Sequence, residues 1–336
     1  MIISWNTTNR CNLTCPHCYR DAGSESRGEL STSEAEQMIS GIAKAGFKIM
    51  IFSGGEPLMR EDIFHLVSFA ASRGLRPVLG TNGTMITADT ALRLKESGVV
   101  RAGISLDSLD PAKHDAFRGL PGAFDKTLAA MKNCLSAGLQ FQIHTTVMDW
   151  NREEICSLAD FAAANGASAF HVFFLIPVGR GKFIKETALE INEYEKLLRE
   201  IMAKQTLLPI EIKPTCAPQF TRIAAQMGLD NRFARGCIAG SAYCIINPAG
   251  IVQPCAYLPE AAGDVRAEPF EEIWKNSPVL KKLRTLQYGG SCGKCSFVSV
   301  CGGCRARAAY YNDGNYMSED PYCAYGRELP SNDGTL

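Results

Sequence analysis

The chain of 336 residues carries no net charge: 35 lysines and arginines balance 35 aspartates and glutamates. That balance argues against a basic stripe for nucleic acid and against a polybasic membrane patch. Long apolar runs are absent too. The longest, AFHVFFLIPV, is ten residues, too short to cross a bilayer. The opening MIISWNTTNR has no apolar segment leading to a small-residue cleavage site, so no export signal is expected and the cytoplasm is the expected compartment. What remains is a soluble globular composition, 46% hydrophobic and 21% charged.

Cysteine is the residue in excess. Fourteen is too many to ignore, yet the chain is too long to be a small disulfide-stapled scaffold. Metal ligation in a reducing compartment fits better. The cysteines are unevenly spread: three at the start, Cys134 and Cys156 in the middle, and nine from Cys216 to Cys323. The two in the middle fall in helical patterns and read as small buried hydrophobes. We therefore expect an N-terminal catalytic domain over 1–185, a helical linker over 186–235 and a cysteine-rich domain over 236–336.

Apolar β-type runs alternate with amphipathic helical stretches. Strands are expected at 2–7, 48–53, 76–81, 100–106, 141–147 and 169–176. Helices are expected at 31–47, 63–74, 88–98, 124–138 and 153–166, with a further helical stretch at 190–205. The first opens on a capping pattern, Ser33 followed by Glu36. Six β/α units predict an α/β fold with a parallel sheet and right-handed crossovers. Six are too few for a closed eightfold barrel, so a partial (β/α)6 TIM-like barrel is expected. Functional loops should gather at the carboxyl ends of its strands.

The motifs fall at those ends. RCNLTCPHCYR follows the first strand, SGGEP the second, TNG the third, SLDS the fourth, TTVMDWN the fifth and LIPVGRG the sixth. The first has Cys11, Cys15 and Cys18 in C-x3-C-x2-C spacing. Three thiolates either hold a four-iron cluster with one iron open to a small ligand, or form a zinc knuckle whose fourth ligand lies elsewhere. In Gly54-Gly55-Glu56-Pro57, the glycines allow close backbone approach and Glu56 can accept hydrogen bonds from an ammonium group.

This constellation resembles the radical S-adenosylmethionine (SAM) superfamily. The resemblance implies a reduced [4Fe-4S] cluster on Cys11, Cys15 and Cys18 that cleaves bound SAM to a 5′-deoxyadenosyl radical, which takes a hydrogen atom from an unreactive carbon. It implies that Glu56, with Gly54 and Gly55, holds the methionyl amine and that His17 flanks the adenine. Asn82, Ser105, Asp107, Thr145 and Asn151 stand where relatives contact the rest of the cofactor. The later cysteines resemble the SPASM domain, an auxiliary-cluster extension of radical SAM maturases. Gly250 precedes Cys255 by five positions, and CGKCSFVSVCGGC reads C-x2-C-x5-C-x2-C where the usual last spacing is three. By that resemblance Cys237, Cys244, Cys255 and Cys304 hold one auxiliary cluster, and Cys292, Cys295, Cys301 and Cys323 the other. Two zinc ribbons are the alternative reading of the same cysteines.

Only ten residues precede Cys11, so no leader-peptide domain is expected and a small-molecule substrate is expected over a peptide. ISWNTTNRCNLTCPHCYRDAG, FSGGEPLMREDIF, RPVLGTNGT, RAGISLDSLDP and CGGCRARA are similar to the tetrapyrrole-modifying members: the haem synthase and Fe-coproporphyrin synthase of the sirohaem-based pathway and a related protein of denitrification haem. The expected reaction is oxidative decarboxylation of Fe-coproporphyrin III propionates, with removal of acetates from didecarboxysirohaem and peptide maturation as alternatives. A tetracarboxylate calls for arginines. Arg20, Arg180 and Arg235 are expected substrate contacts, with His171 and Cys216. The partner is a one-electron donor such as ferredoxin or flavodoxin. Protein reconstituted without air should hold about twelve iron atoms, four per cluster. An iron assay should show about one third lost when Cys11, Cys15 and Cys18 are changed together to Ala. Zinc in place of iron would end this reading.

Overall fold

Strands form where β-branched and aromatic side chains are densest. The computed structural model describes residues 1–325 other than 24, 26, 27, 231 and 232. In it β1 (Ile2–Asn6), β2 (Ile49–Ser53), β3 (Arg76–Thr81), β4 (Arg101–Ser105), β5 (Gln140–Val147), β6 (Ala169–Phe174) and β7 (Glu211–Thr215) lie side by side, all parallel. Between them run α1 (Thr32–Lys44), α2 (Ile63–Ser72), α3 (Ala88–Glu96), α4 (Pro111–Arg118), α5 (Ala123–Ser136), α6 (Ile155–Ala164) and α7 (Ile191–Gln205). The expected partial barrel is the fold observed.

Alternation along the strands gives the sheet two unlike faces. Ile3, Trp5, Met50, Phe52, Leu79, Ala102, Ile104, Phe141, Ile143, Phe170, Val172 and Ile212 belong to one continuous apolar core that includes the helices. Their neighbours, including Ser4, Gly103, Ser105, Gln142, His144, His171, Glu211 and Lys213, take the opposite, concave face. That polar lining is the interior of the barrel. Parallel strands place all their carboxyl ends, and hence the motif loops, at one rim.

Three boundaries differ from expectation. Six parallel strands were expected, and a seventh follows them: β7 lies inside the stretch read as a helical linker, where Pro214 and polar neighbours obscure the strand pattern of EIKPT. α4 also went unseen, although Asp110 caps it, Pro111 opens it and Gly119 closes it in a left-handed conformation. The first helix is capped by Ser31 with Glu34 as a complete capping box, and not by Ser33 with Glu36. Both pairs satisfy the S-x-x-E pattern, and only the register of the buried residues Ala35, Met38, Ile39 and Ile42 decides between them.

The cysteine-rich region does not stand apart. After α8 (Phe220–Gln226), β8 (Tyr243–Ile246) pairs in parallel with β1 and extends the same sheet. The antiparallel β9 (Ile251–Gln253) and β10 (Gly263–Asp264) complete that edge. α9 (Phe270–Asn276), α10 (Pro278–Arg284), α11 (Gly290–Gly293) and α12 (Arg305–Tyr311) follow. Residues 326–336 of the expected third segment lie outside the described residues.

Candidate active site

The first-strand loop is held by backbone contacts on both sides. Thr7 donates to Ser53 O, Gly55 to Thr8 O and Glu56 to Arg10 O, so the GGEP loop runs against the cysteine loop. The glycines are required by this approach. A Cβ on Gly55 would stand 2.1 Å from Arg10 O, and one on Gly54, whose φ is +140°, 2.7 Å from Thr8 O. From the other side Arg180 donates through its backbone N–H to Cys18 O, through Nε to Cys15 O and through Nη1 to Ala22 O. Gly179 is equally constrained, since a Cβ there would lie 2.5 Å from Cys18 O.

Glu56 sits beneath this loop, fully buried. Its carboxylate accepts from Thr81 Oγ1 and the Asn82 N–H at 2.9 Å and from the Leu58 N–H at 3.2 Å. Burial pushes its pKa up to about 7, opposed by those hydrogen bonds and by no cation. A buried carboxylate lacking a counter-cation among the described residues is a fitting receptor for the ammonium of a bound ligand. His17 stacks on Phe117 at 4.0 Å with an interplanar angle of 13°. Burial first, then the Arg118 charge, pushes its pKa down to about 3, so the ring is neutral. Its Nδ1 is buried with no partner among the described residues, which suits a purine edge. Burial also pushes the Cys11 thiol up to about 11. Ligation by thiolate therefore releases protons.

The later cysteines form two separate groups. Cys292, Cys295, Cys301 and Cys323 line a cavity of about 230 Å³ together with Phe297 and Val298. Cys304 lies in a different apolar cluster, with Ile176, Leu258, Cys255 and Cys216. The short C-x2-C spacing works because Gly302 and Gly303 both take left-handed φ, +72° and +59°. Two such residues turn the chain sharply enough to aim Cys301 and Cys304 at different places. Among the described residues no three Cys, His, Asp or Glu side chains converge on a point fit for one metal ion. Cys292, Cys295, Cys301 and Cys323 border a space wide enough for a cluster.

A Radical SAM superfamily profile matches residues 5–162, and the profile of the SPASM iron–sulfur cluster-binding domain matches residues 237–304. A protein of Methanosarcina barkeri named AdoMet-dependent heme synthase is 42% identical over 96% of each chain. The chain belongs to the Radical SAM superfamily. A second M. barkeri protein, Fe-coproporphyrin III synthase, is 30% identical over 97% of this chain and 88% of its own. In structure the chain resembles Streptococcus suis SuiB bound to precursor peptide SuiA, with a TM-score of 0.78 over 96% of this chain and 75% of that one at 18% identity. That likeness concerns the fold. A radical SAM enzyme works with [4Fe-4S] clusters and SAM, and the donor sets above fit both.

Several side chains of this radical SAM enzyme have partners other than those expected. Asp107 is wholly buried and bonded to Arg118, Nη2 to Oδ2 at 2.6 Å and Nε to Oδ2 at 2.7 Å. Thr145 shares the helix-side face with Ile143, and its hydroxyl donates to Leu106 O. Asn151 is buried, donating to the carbonyls of Asp107 and Thr146 and accepting from the Met148 N–H. These three brace the rim. Ser105 donates to Thr81 O at 3.4 Å, and Asn82 ties the third loop to Asn12 through its side chain. Arg180, expected on a propionate, is committed to the cysteine loop. His171 stacks on His144 and faces Glu211 at 3.4 Å. Arg20 donates to Asn9, and among the described residues neither its buried Nε nor that of Arg235 has a partner. Cys244 is not with Cys237, Cys255 and Cys304: it lies in the main core on β8, facing the helices beside Ile3 and Trp5.

Arg118 is the residue missed. Its guanidinium lies between Asp107 and the Cys15 thiol, with Nη1 3.9 Å from the sulfur. The capping signals of α4 were there to find it. A paired experiment separates the two loops. Arg180→Ala should lower the iron held by the first loop, because Cys15 O and Ala22 O lose their tether. Glu56→Gln should leave iron intact while weakening SAM about tenfold or more, the worth of one charge-assisted bond. Anaerobic iron assay and SAM titration read both. Full iron in the arginine variant, or unimpaired SAM binding in the glutamine variant, refutes the corresponding assignment.

Proposed function

We propose that this enzyme converts Fe-coproporphyrin III to haem b by oxidative decarboxylation of two propionates to vinyls. One observation carries the reading: identity is 42% over nearly all of both chains to a protein named AdoMet-dependent heme synthase, against 30% to one named Fe-coproporphyrin III synthase. Cys11, Cys15 and Cys18 would hold the first cluster, Cys292, Cys295, Cys301 and Cys323 an auxiliary one, and Cys237, Cys255 and Cys304 three corners of another.

Bound there, the clusters and SAM supply a hydrogen-abstracting carbon centre and a sink for electrons. At each side chain a hydrogen atom leaves the β-carbon, the bond to the carboxylate breaks, carbon dioxide departs and a C=C bond forms. One electron per vinyl is left over and must be accepted. The protein's own task is to position the β-carbon and exclude water. The stacked rings of His17 and Phe117, with Trp150 edge-on at 5.0 Å, close one side of the rim. Arg20, whose buried Nε lacks a partner among the described residues, would meet a propionate beside the cysteine loop. On the concave face His144 is kept neutral by burial and by the His171 ring stacked on it. A cytoplasmic ferredoxin or flavodoxin is the proposed electron donor, and no helix among the described residues is long and apolar enough to cross a membrane.

The test is anaerobic turnover with reductant, SAM and Fe-coproporphyrin III, read by mass. The expected product is lighter by two carbon dioxides and four hydrogens. Loss of acetates from didecarboxysirohaem, with Fe-coproporphyrin untouched, would assign the neighbouring reaction. Inertness toward both tetrapyrroles would move the substrate class to peptides.

A further inference from the structure

The group formed by Cys237, Cys255 and Cys304 is one thiol short, and the residue expected to complete it, Cys244, faces the wrong way. Ile3 and Trp5 on β1 pair with Cys244 and Ile246 on β8, and all four lie in the core under the helices. The adjacent residue Tyr243 turns to the concave face, where its hydroxyl meets Ser4 Oγ at 3.0 Å. The strand period of two thus separates Cys244 from Cys255 by the thickness of the sheet.

A different cysteine occupies the vacant corner. Cys216 follows β7 in a left-handed conformation, φ +61°, rare for a residue with a Cβ and held only where surroundings enforce it. Here they do. Its carbonyl accepts from Arg307 Nη2 at 2.8 Å. Arg307 pairs with Asp320 Oδ2 at 3.2 Å, and the same oxygen accepts the Cys304 N–H at 2.7 Å. One buried ion pair therefore fixes the backbones of Cys216 and Cys304 together. Gly236 lies against Pro218, so closely that a Cβ would stand 2.5 Å from Pro218 O, and this brings Cys237 beside the same turn. Cys255 joins through Leu258 in the shared apolar cluster.

We infer that Cys216, and not Cys244, is the fourth ligand of the auxiliary cluster held by Cys237, Cys255 and Cys304. The inference rests on the proposal that these thiols hold a cluster. It moves a ligand from the cysteine-rich domain to the end of the barrel's last parallel strand. The cluster then pins the two parts of the chain to each other, at the inner end of β7 beside Tyr257 and Tyr19.

The experiment compares iron content and the electron paramagnetic resonance signal of Cys216→Ala, Cys216→Ser, Cys244→Ala and Cys255→Ala, each reconstituted anaerobically in the full chain and checked for folding by circular dichroism. Cys216→Ala is expected to lose up to about one third of the iron, as Cys255→Ala does. Cys216→Ser, offering oxygen in the same place, should keep more iron with a shifted signal. Cys244→Ala should match the wild type in both. Full iron and an unshifted signal in both Cys216 variants, with iron lost in Cys255→Ala, overturn the inference and leave the cluster proposal standing. So does loss of that iron in folded Cys244→Ala. Full iron in Cys255→Ala instead sinks the cluster proposal itself, and the inference with it.

Discussion

The site depends on one close contact, the approach of Gly54 and Gly55 to the backbone of Thr8, Asn9 and Arg10. No side chain could stand between these two segments. Because they touch, the cysteine loop is braced by the second strand's own extension, and Glu56 is carried into a pocket that water cannot reach. Burial without a cation is unfavourable for a carboxylate. The hydrogen bonds from Thr81, Asn82 and Leu58 offset part of that cost and fix the orientation. The result is a negative group held in reserve for a positive ligand, a preorganisation that binding does not have to create. Arg180 and Gly179 repeat the device from the sixth strand, with a guanidinium in place of a second β-like ladder.

Two buried arginine–aspartate pairs extend the same principle. Arg118 with Asp107 lies against the Cys15 thiol, and Arg307 with Asp320 lies between Cys216 and Cys304. Each places a fixed positive charge beside thiols that become thiolates on ligation, and each pairs it so that no bare charge is buried when the thiols are neutral. Such pairs contribute little to net stability, since desolvation consumes much of the attraction. Their value here is positional: in both, one carboxylate also binds backbone, which turns a charge pair into a brace.

Much of this was legible in the sequence, and the pattern of success has a physical cause. The six strands with dense apolar residues were placed within two residues of their observed ends, because burial against helices on one face leaves a strong signal. β7 was not, because its concave-face residues Glu211, Lys213 and Thr215 are polar and Pro214 interrupts the propensity. The cysteine loop and GGEP announced themselves by spacing. The roles of Asp107, Thr145, Asn151 and Arg180 did not. Position at a strand end says that a residue is near the rim, but not which way its side chain points. Thr145 shows the difference: it lies one residue from His144 and faces the opposite layer.

The same parity decides the cysteines. The family resemblance groups Cys244 with Cys237 and Cys255, which lie seven positions before it and eleven positions after it. The pleat undoes that grouping, since a strand residue commits its side chain to one face and β8 commits Cys244 to the core. Cys216 is nearly forty residues from Cys255. It reaches the group because β7 ends at the rim and a left-handed turn, held by Arg307, aims it inward. A ligand supplied by the barrel couples cluster assembly to correct docking of the two regions. In a chain whose second region already shares the sheet through β8, that coupling adds a second fastening on the far side of the cavity.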